Sequence, residues 1–104
     1  MLIVNDPEIE IDAGDVEETT VEEIFRNLRV LYGTRAGEQA LDRDFGIDPD
    51  LIDYPQENAK ALLAAEYVRK TQKYEPRVVV TRVEWTGGKP SEGRMTPKVV
   101  VSFV

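Results

Sequence analysis

The sequence contains no cysteine and no histidine. These absences exclude thiolate and imidazole metal sites, cysteine nucleophiles and histidine-based catalytic triads within the chain. No apolar run approaches the roughly 20 residues that a membrane-spanning helix needs. The apolar opening Met1–Val4 is interrupted at once by Asn5 and Asp6. The sequence therefore predicts neither membrane insertion nor a secretory signal, and we expect no cofactor and no metal.

Positive charge is absent from the first 25 residues, because Arg26 is the first lysine or arginine. The carboxylates that precede it are Asp6, Glu8, Glu10, Asp12, Asp15, Glu17, Glu18, Glu22 and Glu23. The net charge of −7 opposes phosphate backbones, so free nucleic acid is not an expected partner. The acidic segment 1–18 is interpreted either as a solvated stretch or as a surface for a basic partner.

Length and composition predict one folded domain, residues 1–104. This length supports one modest core but not two independent ones. Apolar residues make up 41% of the chain and charged residues 32%, which is ordinary for a globular protein and too apolar for a fully disordered one.

Two helices are predicted from apolar spacing. The first begins near Thr19 and Thr20, each of which stands three residues before a glutamate, as in a capping box. Its apolar stripe consists of Val21, Ile24, Phe25, Leu28 and Leu31. We expect Gly33 to lie just past its end as a left-handed cap. The second helix is predicted over Gln56–Lys73, with wide burial that includes Leu62 and Val68, and Pro76 stops it.

The segment between the helices is predicted to be an ordered connection, because bulky apolar residues recur between its glycines and prolines. Strict alternation in Glu8–Asp12 predicts a short edge strand. β-branched and aromatic residues over Val78–Trp85 and again over Val99–Val104 predict an antiparallel C-terminal hairpin, with residues 86–97 as its long loop. The predicted class is α+β, with two main helices packed on a small antiparallel sheet that includes this C-terminal β-hairpin.

Paired carboxylates are the only plausible catalytic groups, as the acid and base of a glycosidase-like site. The candidates are Glu38, Asp42 and Asp44. The chain has 20 acidic residues, so neighbouring carboxylates arise by chance, and nothing in the sequence indicates the burial that raises the pKa of a general acid. No catalytic residue is therefore assigned. The aromatic residues Tyr54, Tyr67, Tyr74 and Trp85 are interpreted as packing residues rather than as a stacking surface for bases or sugars.

The segment Glu75-Pro76-Arg77 places two opposite charges on either side of a rigid residue, where the second helix passes into the hairpin. One interpretation is a helix stop with a surface ion pair. The other is a fixed charged corner presented to a partner, since arginine binds carboxylates in a bidentate manner. The residues alone leave both open.

The order of these motifs resembles the GPW/gene-twenty-five-like baseplate-wedge family of contractile phage tails, to which TssE of type VI secretion is related. The resemblance covers about residues 20–85. It rests on four phrases in order: Leu31-Tyr32-Gly33-Thr34-Arg35, Gly37-Glu38, Asp44-Phe45-Gly46 and Tyr74-Glu75-Pro76-Arg77-Val78. The family usually has an arginine after Gly-Glu and a proline before Asp-Phe-Gly, where this chain has Gln39 and Arg43.

The resemblance implies a structural, non-enzymatic component that joins other baseplate wedge proteins and starts the assembly of tail sheath subunits. It implies assembly in the bacterial cytoplasm and a final place in a phage tail baseplate or an injection-machine baseplate. It also implies that Glu75, Pro76 and Arg77 act in wedge assembly. The C-terminal strand, with Val99, Val101 and Phe103, is expected to offer a free edge for strand addition.

Two alternatives remain from other classes. Because the family has also been labelled lysozyme-like, one is a peptidoglycan-cleaving enzyme. The other is a free-standing regulatory adaptor with the same fold.

Overall fold

A computed structural model describes residues 3–53, 59–86 and 94–104 of the chain. In chain order the elements are β1 (Ile3–Val4), β2 (Glu8–Asp12), α1 (Glu18–Gly33), α2 (Pro49–Asp53), α3 (Ala59–Tyr74), β3 (Val78–Thr86) and β4 (Arg94–Phe103). The predicted α+β class is confirmed. The predicted start of the second helix, most of the predicted hairpin loop and Tyr54 lie outside the described residues.

The sheet is mixed rather than purely antiparallel. β3 pairs antiparallel with β4, as the predicted hairpin requires, and Val78 lies opposite Phe103. β2 pairs parallel with the other side of β4, from Glu8 opposite Lys98 to Asp12 opposite Ser102. β4 is therefore the central strand, and the predicted edge position of β2 is correct. A parallel partner distant in sequence leaves no local signal, because only the tertiary fold brings the two strands together.

Pro97 accounts for a break in the ladder on the β2 side. Proline has no N–H to donate, so it is rare inside a central strand. β1 pairs with Arg94 and Met95, and β2 resumes the pairing at Lys98. Pro97 lies between these two stretches and is almost fully buried. The N-terminal strand is thus divided into two short pieces around the proline.

The helices pack on one face of the sheet. Alternation places Ile9, Ile11, Val99 and Val101 on this inner face, where they meet the apolar stripes of α1 and α3. The most buried apolar side chains of the core are Ile24, Leu28, Leu31, Ile47, Leu63, Tyr67, Val78, Val99 and Val101. Ile47 belongs to the connection between the helices, so the prediction that this connection is ordered is confirmed.

Both ends of α1 differ from the prediction. The N-cap residue is Glu17, and no side chain caps this end, so the predicted capping boxes are not formed. Gly33 belongs to the helix and does not have a positive φ. At the C-terminal end, the Thr34 hydroxyl instead donates to the Val30 carbonyl at 2.6 Å, which satisfies one of the carbonyls that a helix end leaves unpaired.

The second main helix, α3, is less buried than predicted. Leu62 and Val68 are 38% and 41% exposed. The buried stripe instead includes Lys70, which is 1% exposed. No helix among the described residues has both the length and the apolar character that crossing a membrane requires.

Candidate assembly surfaces

The segment Glu75-Pro76-Arg77, which we call the Glu75–Arg77 corner, is partly internal. The Glu75 side chain is almost fully buried at 5% exposure. Its carboxylate accepts from Arg77 Nε at 2.6 Å and from the Arg77 terminal nitrogen at 3.0 Å. It also accepts from Asn27 Nδ2 of α1 at 3.1 Å. The corner therefore joins the end of α3 and the start of β3 to α1.

This geometry shows that the corner is more than an exposed ion pair at the end of a helix. The bidentate Arg77 guanidinium, followed by Asn27, holds the pKa of the Glu75 carboxyl below its usual value. A buried carboxylate that lost its arginine would remain as an uncompensated charge. The pair is therefore part of the fold and not merely a surface ion pair. Arg77 itself is 42% exposed and also lies 3.7 Å from Glu23, so one side of it still faces outward.

A small pocket of about 210 Å³ lies beside the corner. Its lining residues are Asn27, Val30, Leu31, Phe45, Tyr74 and Glu75. Val30 is 58% exposed at its rim, although the residue is large and apolar. We call this hollow the corner pocket. It brings together α1, the connection and the corner, which are distant in sequence.

The Asp44-Phe45-Gly46 phrase shapes one wall of the corner pocket. The ring of Phe45 meets Tyr74 edge to face, with centroids 5.1 Å apart. Gly46 has a φ of 107°, and a Cβ there would lie 2.5 Å from the Thr34 carbonyl oxygen. Only glycine fits this close approach. The next residue, Ile47, exchanges backbone hydrogen bonds with Thr34 and Ala36 at 2.8 and 2.9 Å.

Asp44 lies at the centre of a group of cations from α3, which we call the Asp44 cluster. Its carboxylate lies 2.6 Å from Lys73 Nζ, 3.1 Å from Lys70 Nζ and 3.4 Å from the Arg69 guanidinium. Lys70 Nζ also donates to the Asp44 backbone carbonyl. The three cations, Lys73 foremost, hold the Asp44 pKa far below its usual range. The cluster fixes the connection to α3.

The C-terminal strand does not offer the free edge that was expected. Between Lys98 and Ser102, β4 pairs with β2 on one side and with β3 on the other. Val99 and Val101 are fully buried in the core, and Phe103 is half-buried opposite Val78. The expectation of a free edge at β4 is therefore wrong for Val99 and Val101, because the N-terminal strand β2 pairs in parallel with β4 on the side away from β3. Phe103 lies one residue past the last of these pairs.

The fold resembles that of a chain in an anti-feeding prophage baseplate. That chain belongs to a cryo-EM structure of the six-fold symmetrised baseplate of the anti-feeding prophage. The likeness has a TM-score of 0.66 and 21% sequence identity, and it covers 80% of this chain and 68% of that one. No protein-family model and no curated protein matches the sequence. At this identity the likeness shows the shared fold.

The candidate carboxylates lack the setting of a catalytic pair. Glu38 is exposed and lies 3.9 Å from Arg35. Asp42 is exposed and accepts from the Tyr74 hydroxyl at 2.9 Å. A general acid needs a raised pKa, whereas the Asp44 pKa is lowered. Of the aromatic residues, Tyr67 is buried against Tyr32, and Trp85 is half-buried.

Sequence reasoning missed three residues of these surfaces. Lys70 follows Leu63 and Tyr67 at helical spacing, and a lysine in an apolar stripe is a signal that it has a buried partner. Asn27 and Val30 lie on α1 but do not belong to its predicted apolar stripe. Nothing in the sequence connects them to the corner, because their neighbours come from about 15 to 48 positions away along the chain.

Proposed function

We propose that the protein is a structural component of the baseplate of a contractile tail or injection machine, and that it joins other wedge subunits through the Glu75–Arg77 corner and the corner pocket. The observation that carries this proposal is that two sequence motifs lie side by side in the fold. Asp44-Phe45-Gly46 and Glu75-Pro76-Arg77 are separated by about 30 residues, yet both contribute to one apolar pocket. The likeness of the fold to a chain in a baseplate supports it.

The corner pocket has the features of a docking site for a partner side chain. Its position is fixed by partly buried hydrogen bonds on both sides, from Asn27 to Glu75 and from Lys70 to Asp44. A preformed pocket costs little conformational entropy on binding. Exposed Val30 supplies apolar surface at its rim, and the outward side of Arg77 supplies a donor for a partner carboxylate. These features favour a structural role over a catalytic one.

Val30→Glu tests this proposal. Because Val30 is largely exposed, we expect the isolated variant to keep its melting temperature within a few degrees, as surface substitutions usually do. The new charge at the pocket rim should prevent incorporation into baseplates, measured by the yield of assembled particles. Val68→Glu is the matched control, because Val68 is also exposed but does not line the pocket. Normal incorporation of Val30→Glu would overturn the proposed interface.

We further propose that the protein starts sheath assembly by pairing one of its sheet edges with an extended partner segment. With β4 occupied on both sides, this pairing falls to an outer strand, β2 or β3. Under this proposal its partners are other baseplate wedge proteins and tail sheath subunits. It assembles in the bacterial cytoplasm and ends in the baseplate of the tail or injection machine.

A further inference from the structure

A groove runs between β2 and α1, on the flank of α1 away from the corner pocket. Its larger part has a volume of about 490 Å³ and is lined by Ile11, Val21 and Phe25, with Glu22 and Arg26 at the rim. A second hollow of about 180 Å³ lies nearer the start of the strand, beside Pro7, Ile9 and Arg29. The two hollows together follow β2. Phe25 remains 37% exposed in the groove.

The backbone edge of β2 that points away from β4 is available for pairing with another strand. Among the described residues, β2 pairs with β4 alone, through five successive positions without a bulge. The other outer strand, β3, has an irregularity between Val80 and Arg82, and such bulges discourage pairing. A strand added to β2 would extend the sheet over the groove. Its inward side chains would then cover Ile11, Val21 and Phe25.

Charge determines which segment fits this edge. Glu8, Glu10 and Asp12 all project from the outer face of β2, and all three are exposed. Side chains that lie directly opposite across paired strands interact with each other, and like charges there are destabilising. Pairing between the β2 strands of two copies would bring these carboxylates together, so a second copy does not fit. Arg82 and Lys98 partly neutralise Glu10, at 3.7 and 3.5 Å. Glu8 and Asp12 are therefore the main carboxylates that favour basic side chains on a paired strand.

We propose that the β2 edge and its groove bind an extended partner segment in which basic and apolar side chains alternate. The basic residues lie beside Glu8 and Asp12 on the outer face, and the apolar residues enter the groove. Main-chain hydrogen bonds along β2 supply affinity, and the alternation supplies specificity. This inference rests on the proposed assembly function and names the chemistry of one partner segment.

Binding of synthetic peptides to the whole protein tests the inference. The probe is an eight-residue peptide in which lysine and valine alternate, and binding is measured by NMR chemical shifts and fluorescence anisotropy. One control peptide has the same composition in two blocks, and another has glutamate in place of lysine. A fourth carries N-methyl groups on alternate backbone amides. We expect binding of the first peptide alone, with shifts concentrated at residues 8–12 and 21–26.

Protein variants separate strand pairing from general attraction to an acidic protein. Glu8→Lys/Asp12→Lys should weaken binding of the alternating peptide by about tenfold or more, since two attractive cross-strand pairs become repulsive. Glu38→Lys/Asp50→Lys makes the same change in net charge on the exposed connection and should alter binding by about twofold or less.

Equal binding of the alternating and block peptides would overturn the inference. Shifts confined to β3, or no shifts at millimolar peptide, would also overturn it. The proposed function is tested separately by Val30→Glu, on the opposite flank of α1. Loss of the peptide result with an intact Val30→Glu result would therefore remove the groove and leave the baseplate role standing.

Discussion

At the residue scale, Gly46 determines the path of the connection. Its positive φ and its close approach to Thr34 both exclude a side chain. We expect Gly46→Ala to lower the free energy of unfolding by about 1–3 kcal/mol, the usual cost of a strained backbone position. Denaturant unfolding measures this change.

Gly37→Ala is the matched control for Gly46→Ala. Gly37 also has a positive φ, at 98°, but a Cβ there would meet no atom within 4 Å. Both variants share the conformational cost, so the difference between them isolates the collision with Thr34. Equal destabilisation by the two variants would contradict the importance of this close approach.

Arg77 compensates the buried Glu75 carboxylate, which makes the corner part of the fold. Arg77→Met should lower the melting temperature by several degrees, because it leaves Glu75 charged and buried without its main partner. Adding Glu75→Gln should restore part of the loss, since the amide keeps a hydrogen-bonding group without the charge. Thermal unfolding of the two single variants and the double variant measures this coupling. Additive losses would mean that the two residues act independently.

At the scale of elements, the Asp44 cluster joins the connection to α3 and makes its stability depend on pH. The Asp44 pKa is lower in the folded protein than in the unfolded chain. The stability from this carboxylate is therefore present above the unfolded pKa of about 4, and it is lost as the pH falls toward the folded value. Because Asp44 is 39% exposed, salt should weaken the effect.

We expect Asp44→Asn to melt at a lower temperature than the unchanged protein at about pH 7, and the gap to close as the pH falls from about 4 to about 2. Melting curves across this range measure the gap. Asp15→Asn makes the same change in net charge outside the cluster and serves as the control. A gap that stays constant with pH would contradict the role of the Asp44 charge.

The elements also show how far sequence reasoning reaches. The two main helices and the hairpin follow local periodicity, so α1, the end of α3 and β3 were predicted close to their observed bounds. The strand β4 begins at Arg94, inside the segment predicted as the hairpin loop. The parallel pairing of β2 with β4 was not predicted, because it joins residues about 90 positions apart. The free edge assigned to β4 was wrong for the same reason. The corner was found from its residues, whereas its bonds to Asn27 depend on the packing of α1 against α3.

At the scale of the whole molecule, α1 separates two surfaces of different character. One flank, with Asn27 and Val30, faces the corner pocket. The other, with Val21 and Phe25, faces the groove beside β2. A protein that joins several neighbours needs a separate surface for each of them. This domain has two such surfaces, because the sheet and α3 leave both flanks of α1 partly exposed. This arrangement fits a connecting subunit.

Site-specific photocrosslinking in assembled particles tests the central claim most directly. A photoreactive amino acid replaces Val30 at the corner pocket or Val68, which is exposed but does not line the pocket. Mass spectrometry of purified particles identifies the products. A structural baseplate component should be retained in the particles and crosslink from position 30 to another particle protein, with far less product from position 68. Absence of the protein from purified particles, or equal crosslinking from both positions, would contradict the account.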